Sequence, residues 1–149
     1  MLNSLIKPDF VGQNEKLQKS FDKTQALIEA LNQRELPEDT QAAVQAEIEG
    51  LNAGITEVKA YTKSLSKAYN NMVKRVQKDV GLSPKGYHRS QWMVLGMTIF
   101  GLPLGMAFGM MLDNLGLMGL GLPIGMGIGL AIGSGLDEKA AKEGKQLSV

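Results

Sequence analysis

The chain has 149 residues, no cysteine, one histidine and a formal charge of +1. The lack of cysteine excludes disulfides, thiolate metal sites and cysteine nucleophiles, and a lone His88 argues against a histidine-based metal site. Composition is uneven, because 12 of the 18 glycines and 7 of the 9 methionines lie between Trp92 and Leu136, where Asp113 is the sole charged residue. We therefore expect separate segments rather than one globular core.

Residues 1–82 carry the spacing of packed helices. Apolar positions separated by three and four residues favour coiled-coil-like packing. Pro37 is followed by two acidic residues, a combination typical of a helix start. These signals predict an antiparallel helical hairpin, or stalk, with arms Asn14–Arg34 and Glu38–Val80. The predicted seam positions are Leu17, Phe21, Thr24, Ile28 and Leu31 in the short arm, and Val44, Ile48, Leu51, Ile55, Val58, Thr62, Leu65, Tyr69, Met72 and Val76 in the long arm.

The two arms have unequal lengths, so the lower half of the long arm has no partner from the short arm. Two possibilities remain open for what covers this half of the long arm: the leading residues 1–13, or another chain. Gly50 and Gly54 lower the helix propensity of the long arm by about 1 kcal/mol each relative to alanine, and we expect them where the short arm approaches closely.

Residues 83–91 form a basic joint next to the first apolar segment. Between Lys59 and Arg89 there are eight basic residues and one acidic residue, Asp79. We place Lys85, Tyr87, Arg89 and Trp92 at a lipid interface, so membrane lipids are expected partners. Attraction to anionic lipids and an ordinary orientation signal both stay open, whereas nucleic acid is not expected because aromatic side chains that stack on bases are scarce.

Residues 92–136 are predicted to be a transmembrane hairpin. Trp92–Leu112 and Leu115–Leu136 are long enough to cross a bilayer, for which a helix needs about 20 apolar residues. Asp113 and Asn114 between them favour a turn. The alternative is a buried helical hairpin in a soluble protein.

The flanking charges predict the orientation of this hairpin. Basic residues precede the first span and follow the second, while the turn has none, so both termini are expected on the cytoplasmic side of the membrane. Residues 137–149 read as a charged, solvated cytoplasmic tail, in which Glu138 and Lys142 are spaced to pair along a helix.

Glycines recur every four residues in both spans. Small residues at this spacing let lipid-immersed helices approach closely. The predicted packing residues are Gly101, Gly105 and Gly109 in the first span, and Gly121, Gly125, Gly129 and Gly133 in the second. Gly127 points away from the second stripe and is assigned to packing against a further copy or another protein. Pro103 and Pro123 each remove one helix hydrogen bond.

These motifs resemble those of bacterial glycine-zipper proteins, which are small membrane proteins. The residues that match are Gly105, Gly109, Leu112, Asp113, Asn114, Gly125, Gly127, Gly129, Leu130, Ala131, Ile132, Gly133, Leu136 and Asp137. The resemblance implies a two-span membrane hairpin without a settled activity. It does not extend to the N-terminal helices.

The sequence therefore predicts an all-α membrane protein with a cytoplasmic helical hairpin followed by a two-helix transmembrane hairpin. No residue pattern indicates an enzyme, a cofactor, a metal or a small-molecule substrate. The favoured hypothesis is a structural or assembly protein, acting as a homo-oligomer or as an accessory subunit of a membrane complex. The alternative is an oligomeric pore, including a holin-like one, although few polar residues are available to line it.

Overall fold

The computed structural model describes residues 1–54 and 57–149. The chain is helical, as predicted, and it divides into two compact units. The first unit comprises Met1–Pro84 together with Leu147–Val149, and the second comprises Lys85–Gln146. Two short strands, β1 (Ser83–Pro84) and β2 (Gln146–Leu147), pair as a two-stranded sheet.

The first unit is built from helices α1 (Glu15–Asn32), α2 (Glu38–Ala53) and α3 (Val58–Val80), preceded by a 3-10 helix at Asp9–Gln13. The side chain of Asn14 caps α1, accepting hydrogen bonds from the backbone N–H groups of Lys16 and Leu17 at 3.1 Å. Gly81 ends α3 in the left-handed conformation with φ 75°, which glycine adopts without steric cost. Each boundary thus follows a local sequence signal.

The continuous arm predicted from Glu38 to Val80 is wrong, because α2 ends at Ala53 and α3 starts at Val58. The two helices run antiparallel: the Thr40 hydroxyl bonds Asp79 at 2.9 Å and the Asn71 amide bonds Glu47 at 2.9 Å. Gly50 and Gly54 weaken the helix near the break. By folding back, α3 buries an apolar face that a straight arm would have left without a partner.

The core of this unit contains most of the predicted seam. Its large buried apolar side chains are Leu17, Phe21, Leu27, Ile28 and Leu31 on α1, Val44, Ile48 and Leu51 on α2, and Tyr61, Leu65, Met72, Val73 and Val76 on α3. Val58, predicted in the seam, is instead 42% exposed at the start of α3. The predicted seam position Ile55 lies outside the described residues.

The leading residues cover a different surface from the one considered above. Their backbone bonds side chains of α1 and α2, including Asn32 and Asn52. Further along, the ring of Phe10 packs edge-on against Tyr61 of α3, with 5.6 Å between ring centres. Burial raises the pKa of Tyr61. The start of the chain is therefore part of the core of this unit.

The second unit contains two long helices. The first apolar helix, Tyr87–Met111, consists of α4 (Tyr87–Gly96), a π-helical turn (Met97–Gly101) and α5 (Leu102–Met111). The second apolar helix, Leu115–Lys142, consists of a 3-10 helix (Leu115–Leu120) and α6 (Gly121–Lys142). Both are long and apolar enough to cross a membrane. They extend helical structure into residues that the sequence analysis assigned to the joint and the tail.

The Thr40–Asp79 bond makes the first unit sensitive to acid. Chiefly through the Thr40 hydrogen bond, and also through the charge of Arg75, the pKa of Asp79 lies below its ordinary value of 3.8. A carboxyl with a lowered folded-state pKa stabilises the fold above its unfolded pKa, and this contribution is lost as the pH falls through the folded value. Thr40→Val should raise the pKa of Asp79, so that acid unfolding begins at a higher pH.

Circular dichroism of the full chain in detergent, titrated from neutral pH into acid, measures this effect. Thr62→Val is the matched control, because the exposed Thr62 hydroxyl bonds only the Val58 carbonyl of its own helix among the described residues. Equal acid midpoints for the two variants would contradict the assigned role of Thr40.

Candidate functional site

Glycine dominates the interior of the second unit. Its buried residues are Gly96, Gly101, Gly105 and Gly109 on the first apolar helix, and Gly121, Gly125, Gly129, Gly133, Asp137 and Ala140 on the second. No large apolar side chain of Lys85–Gln146 is buried among the described residues. The two helices therefore pack through their backbones.

Along most of the contact the two backbones are too close for any side chain, and at Gly109 the neighbour is the Met118 side chain. A methyl group placed on Gly125 would lie 2.5 Å from the backbone nitrogen of Gly101, and one on Gly133 would lie 2.5 Å from the Cα of Arg89. Real Cβ atoms essentially never come that close. Contacts move back along the first helix as they advance along the second, so the helices run antiparallel. We call this contact the glycine interface; it comprises Gly96, Gly101, Gly105, Gly109, Gly121, Gly125, Gly129 and Gly133.

Gly96 is a member of this interface that the sequence pattern did not reveal. It precedes Gly101 by five residues, which in a regular helix would place it about 140° from the stripe. The π-helical turn removes this offset, since the Leu102 N–H bonds the Met97 carbonyl five residues back. Pro103 lies just after this turn and supplies no N–H of its own, so a wider turn there is the expected accommodation. A proline shortly after a misplaced glycine is the signal that could have identified Gly96.

Pro123 is accommodated differently. It is the third residue of α6, where the preceding 3-10 helix ends. A proline in the first turn of a helix removes no hydrogen bond that the helix would otherwise make. Both prolines thus lie in the first turn of an α-helix, Pro103 after a π-helical turn and Pro123 after a 3-10 helix.

Gly127 lies away from the glycine interface. A methyl group on it would have no atom of the described chain within 4 Å, and the same holds for Gly119 and Gly135. Within α6, Gly125 therefore contacts the first apolar helix, whereas Gly127, two positions further on, does not.

Large apolar side chains cover the outside of the helix pair. Val94, Ile99 and Leu102 are 50 to 57% exposed, and Met110 is 76% exposed. In the most apolar stretches of the two helices, 22% and 17% of the residues are buried. A core helix of a soluble protein would be mostly buried. This helix pair has small residues inside and large apolar residues outside.

Asp113 and Asn114 connect the helices. Asp113 adopts a positive φ of 50°, and Asn114 bonds the Gly109 carbonyl through its N–H at 3.0 Å. The Asn114 side chain then accepts from the Gly116 N–H at 3.0 Å, which starts the next helix. Asp and Asn tolerate left-handed geometry and bond nearby backbone, which accounts for their use here.

The residues assigned to a lipid interface lie at the opposite end of the helix pair. Lys85 and Arg89 are exposed, and Tyr87 and Trp92 are half-buried. A cavity of about 290 Å³ at this end is lined in part by Lys85, Arg89 and Ser134. This end thus combines cationic and aromatic side chains, whereas the turn end has no cationic side chain.

Asp137 is not part of a solvated tail, which corrects the sequence analysis. It follows Gly133 by four residues, continues the same helix face and is 9% exposed. Its carboxylate accepts hydrogen bonds from the backbone N–H groups of His88 and Arg89, both at 3.1 Å. These N–H groups belong to the first turn of α4, where the cap residue Gly86 has no side chain to accept them. Asp137 therefore caps α4 from the opposing helix.

The exposed charges beyond Asp137 behave as expected. Lys142 and Glu138 approach to 4.0 Å, and Lys139 and Glu143 to 3.9 Å, each pair four residues apart at the end of α6, where Glu143 is the cap residue. The Lys145 ammonium, bonded to Glu143 at 2.6 Å, lowers the pKa of that carboxyl. Among the described residues, no group of three or more histidine or acidic side chains is placed to hold a metal ion.

Comparisons with known proteins find no matching family model, no matching curated protein and no matching solved structure. The function is therefore argued from the helix pair and from the first unit alone.

The glycine interface predicts a difference between neighbouring glycines. Gly125→Leu should disrupt the helix pair, because its side chain would overlap the backbone at Gly101, whereas Gly127→Leu should leave the pair intact. Hydrogen exchange of the His88 and Arg89 amides in detergent micelles reports the packing, because both amides bond Asp137 on the opposing helix. We expect exchange to accelerate at least several-fold in Gly125→Leu; equal rates in both variants would contradict the interface.

The cap by Asp137 predicts faster amide exchange at the start of α4. Asp137→Ala removes the carboxylate acceptor of two partly buried N–H groups, and losing such a charged partner costs about 1–3 kcal/mol. Hydrogen exchange of the His88 and Arg89 amides should accelerate at least several-fold. Asp113→Ala is the control, since it changes the equivalent acid of the repeat at the exposed turn; equal acceleration in both variants would refute the cap.

Proposed function

We propose that this protein is a non-enzymatic assembly protein of the bacterial inner membrane. Its two apolar helices form a transmembrane hairpin, and its N-terminal helical unit serves as a cytoplasmic docking module. It acts by self-association or as an accessory subunit of a membrane complex. The carrying observation is the inverted helix pair, with glycines inside and large apolar side chains outside.

That inversion supports immersion in lipid. In water, a helix pair gains stability by burying large apolar groups, and exposed apolar patches of this extent are rare on soluble monomers. In lipid there is no such gain between helices, so close backbone packing and dispersion hold them together. The observed arrangement, with glycines inside and large apolar side chains outside, is therefore the one expected in lipid.

The charges support an orientation with both termini in the cytoplasm. Lys85 and Arg89 lie at the start of the first apolar helix, and Lys139, Lys142 and Lys145 follow the lipid-length part of the second. The turn at Asp113 and Asn114 has no basic residue. Positive charge near span ends is retained in the cytoplasm.

The helix pair supports assembly in preference to a pore. The Thr98 hydroxyl, one of few polar groups in the spans, bonds the carbonyls of Val94 and Leu95 in its own helix. The open glycines Gly119, Gly127 and Gly135 offer smooth surface to a further helix. The resemblance to glycine-zipper proteins agrees with this proposal. Reproducible conductance in reconstituted bilayers would favour the pore instead.

Cysteine labelling tests the proposed topology, because the chain has no cysteine of its own. Asn114→Cys and Lys145→Cys are expressed separately and treated with a membrane-impermeant maleimide. In spheroplasts we expect labelling of Asn114→Cys alone, and in inverted vesicles of Lys145→Cys alone. Lys19→Cys, on the exposed face of α1, is a second cytoplasmic control. Labelling of Asn114→Cys, Lys145→Cys and Lys19→Cys from the same side of the membrane would contradict the transmembrane hairpin.

A further inference from the structure

The first eight residues, which we call the N-terminal strap, bury one side chain in every three. Leu2, Leu5 and Pro8 are buried, whereas the residues between them are exposed. Pro8 has φ −69° and ψ 147°, the values of a polyproline II helix. Such a helix has about three residues per turn and no internal hydrogen bonds, which matches the burial of every third residue of the strap, Leu2, Leu5 and Pro8.

Helix α1 binds the backbone of the strap with amide side chains. The Leu2 N–H donates to Asn32 Oδ1 at 2.7 Å, and Asn32 Nδ2 donates back to the Leu2 carbonyl at 3.2 Å. The Leu5 N–H donates to Gln25 Oε1 at 3.2 Å. Gln25 is held in this orientation by Glu29, which accepts from its amide nitrogen at 3.1 Å.

Helix α2 repeats this arrangement on the other side of the strap. The Ile6 N–H donates to Asn52 Oδ1 at 2.9 Å, and Asn52 Nδ2 donates to the Ser4 carbonyl at 3.2 Å. The Asn3 N–H donates to Gln45 Oε1 at 2.9 Å. Glu49 accepts from the Gln45 amide nitrogen at 2.8 Å. Each helix thus supplies one asparagine that bonds in both directions and one glutamine oriented by a glutamate.

This arrangement recognises a peptide through its backbone and through two or three buried apolar side chains, which we call anchors. A polyproline II segment cannot satisfy its own N–H and C=O groups, so a partner that supplies amides at the right spacing gains affinity without contacting its side chains. Only the anchor positions need apolar residues. The groove between α1 and α2 thus binds an extended peptide through its backbone, with amide side chains in place of the aromatic residues that line other polyproline-type peptide sites.

We infer that the groove between α1 and α2 is a peptide-binding site for the pattern apolar-x-x-apolar-x-x-Pro, and that the strap of a second copy binds there in exchange for the chain's own. The strap is the peptide that occupies this groove in the structure. Contacts made by an exchanged strap are identical to those made within one chain, so exchange of an element between copies has a low energetic cost. This inference goes beyond the proposed function and does not require that the helix pair crosses a membrane.

The connection between the strap and α1 suits such an exchange. It is the short 3-10 helix Asp9–Gln13, which has poorer hydrogen-bond geometry than an α-helix. Gly12 within it is exposed, with open space around it. Opening this turn breaks the bonds from the Val11 N–H to the Pro8 carbonyl and from the Asn14 N–H to the Val11 carbonyl.

Peptide exchange tests the groove in the full chain. A protease site is inserted between Gly12 and Gln13, the chain is cleaved in detergent, and a fluorescent peptide of residues 1–12 is added. We expect saturable binding, measured by anisotropy, with release of the cleaved strap. Asn52→Ala should weaken binding about tenfold, because it removes two hydrogen bonds. The control Asn70→Ala, an exposed amide on α3, should not change it.

Peptide variants test the recognition pattern. Aspartate at Leu2 and Leu5 should weaken competition at least tenfold, whereas alanine at Asn3 and Ser4 should change it by less than about twofold, since backbone bonds are kept. Two results would contradict the site. In one, aspartate at Leu2 and Leu5 leaves peptide binding unchanged; in the other, the cleaved chain stays helical by circular dichroism and yet does not bind the peptide.

Exchange between copies is tested by crosslinking two tagged versions of the full chain. One carries Asn3→Cys and the other Gln45→Cys, and a short thiol-reactive crosslinker joins positions that are adjacent only when the strap of one copy lies in the groove of the other. We expect a heterodimer from this pair and none from Asn3→Cys with Asn70→Cys. A heterodimer from neither pair, or from both equally, would refute exchange even if the peptide binds.

Discussion

Direct backbone contact between the two apolar helices is the constraint on which the second unit depends. Helices that touch through their main chains cannot carry a Cβ at the contact, so glycine occupies every position from Gly121 to Gly133 that faces the partner. Because the interior then has no room for larger groups, the leucines, methionines and isoleucines must lie outside. An exterior of this kind is stable only in an apolar environment or under another protein.

The regular part of this contact could be predicted from the sequence, and the irregular part could not. A spacing of four residues keeps glycines on one face of an α-helix, which is sufficient for the stripe on α6. Gly96 requires a π-helical turn, and that turn depends on how the helix accommodates Pro103. The period of a pattern identifies a face only where the helix itself has the expected period, so a local change of pitch conceals a member of the interface.

The same reasoning explains why the fold of the first unit was only partly predictable. A heptad pattern requires that its apolar residues meet another helix, but it does not say which one. The pattern runs through Gly54 in one register, so spacing alone does not distinguish a straight arm from an arm folded back on itself. The contacts that distinguish them, such as the Thr40–Asp79 bond, join residues too distant in sequence to be recognised from spacing.

Unsatisfied backbone groups account for the two features that the sequence concealed most completely. The N–H groups in the first turn of α4 have no acceptor within their own helix and the cap residue is a glycine, so a carboxylate from the opposing helix, Asp137, supplies the acceptor. The N-terminal strap makes no bonds within itself, so amides of α1 and α2 supply both acceptors and donors. In each case the side chain that completes the backbone lies twenty or more residues away in the sequence. In the sequence, polar residues near helix ends and on helix faces resemble ordinary solvated residues. Their roles in completing distant backbone groups can therefore be assigned only from the structure.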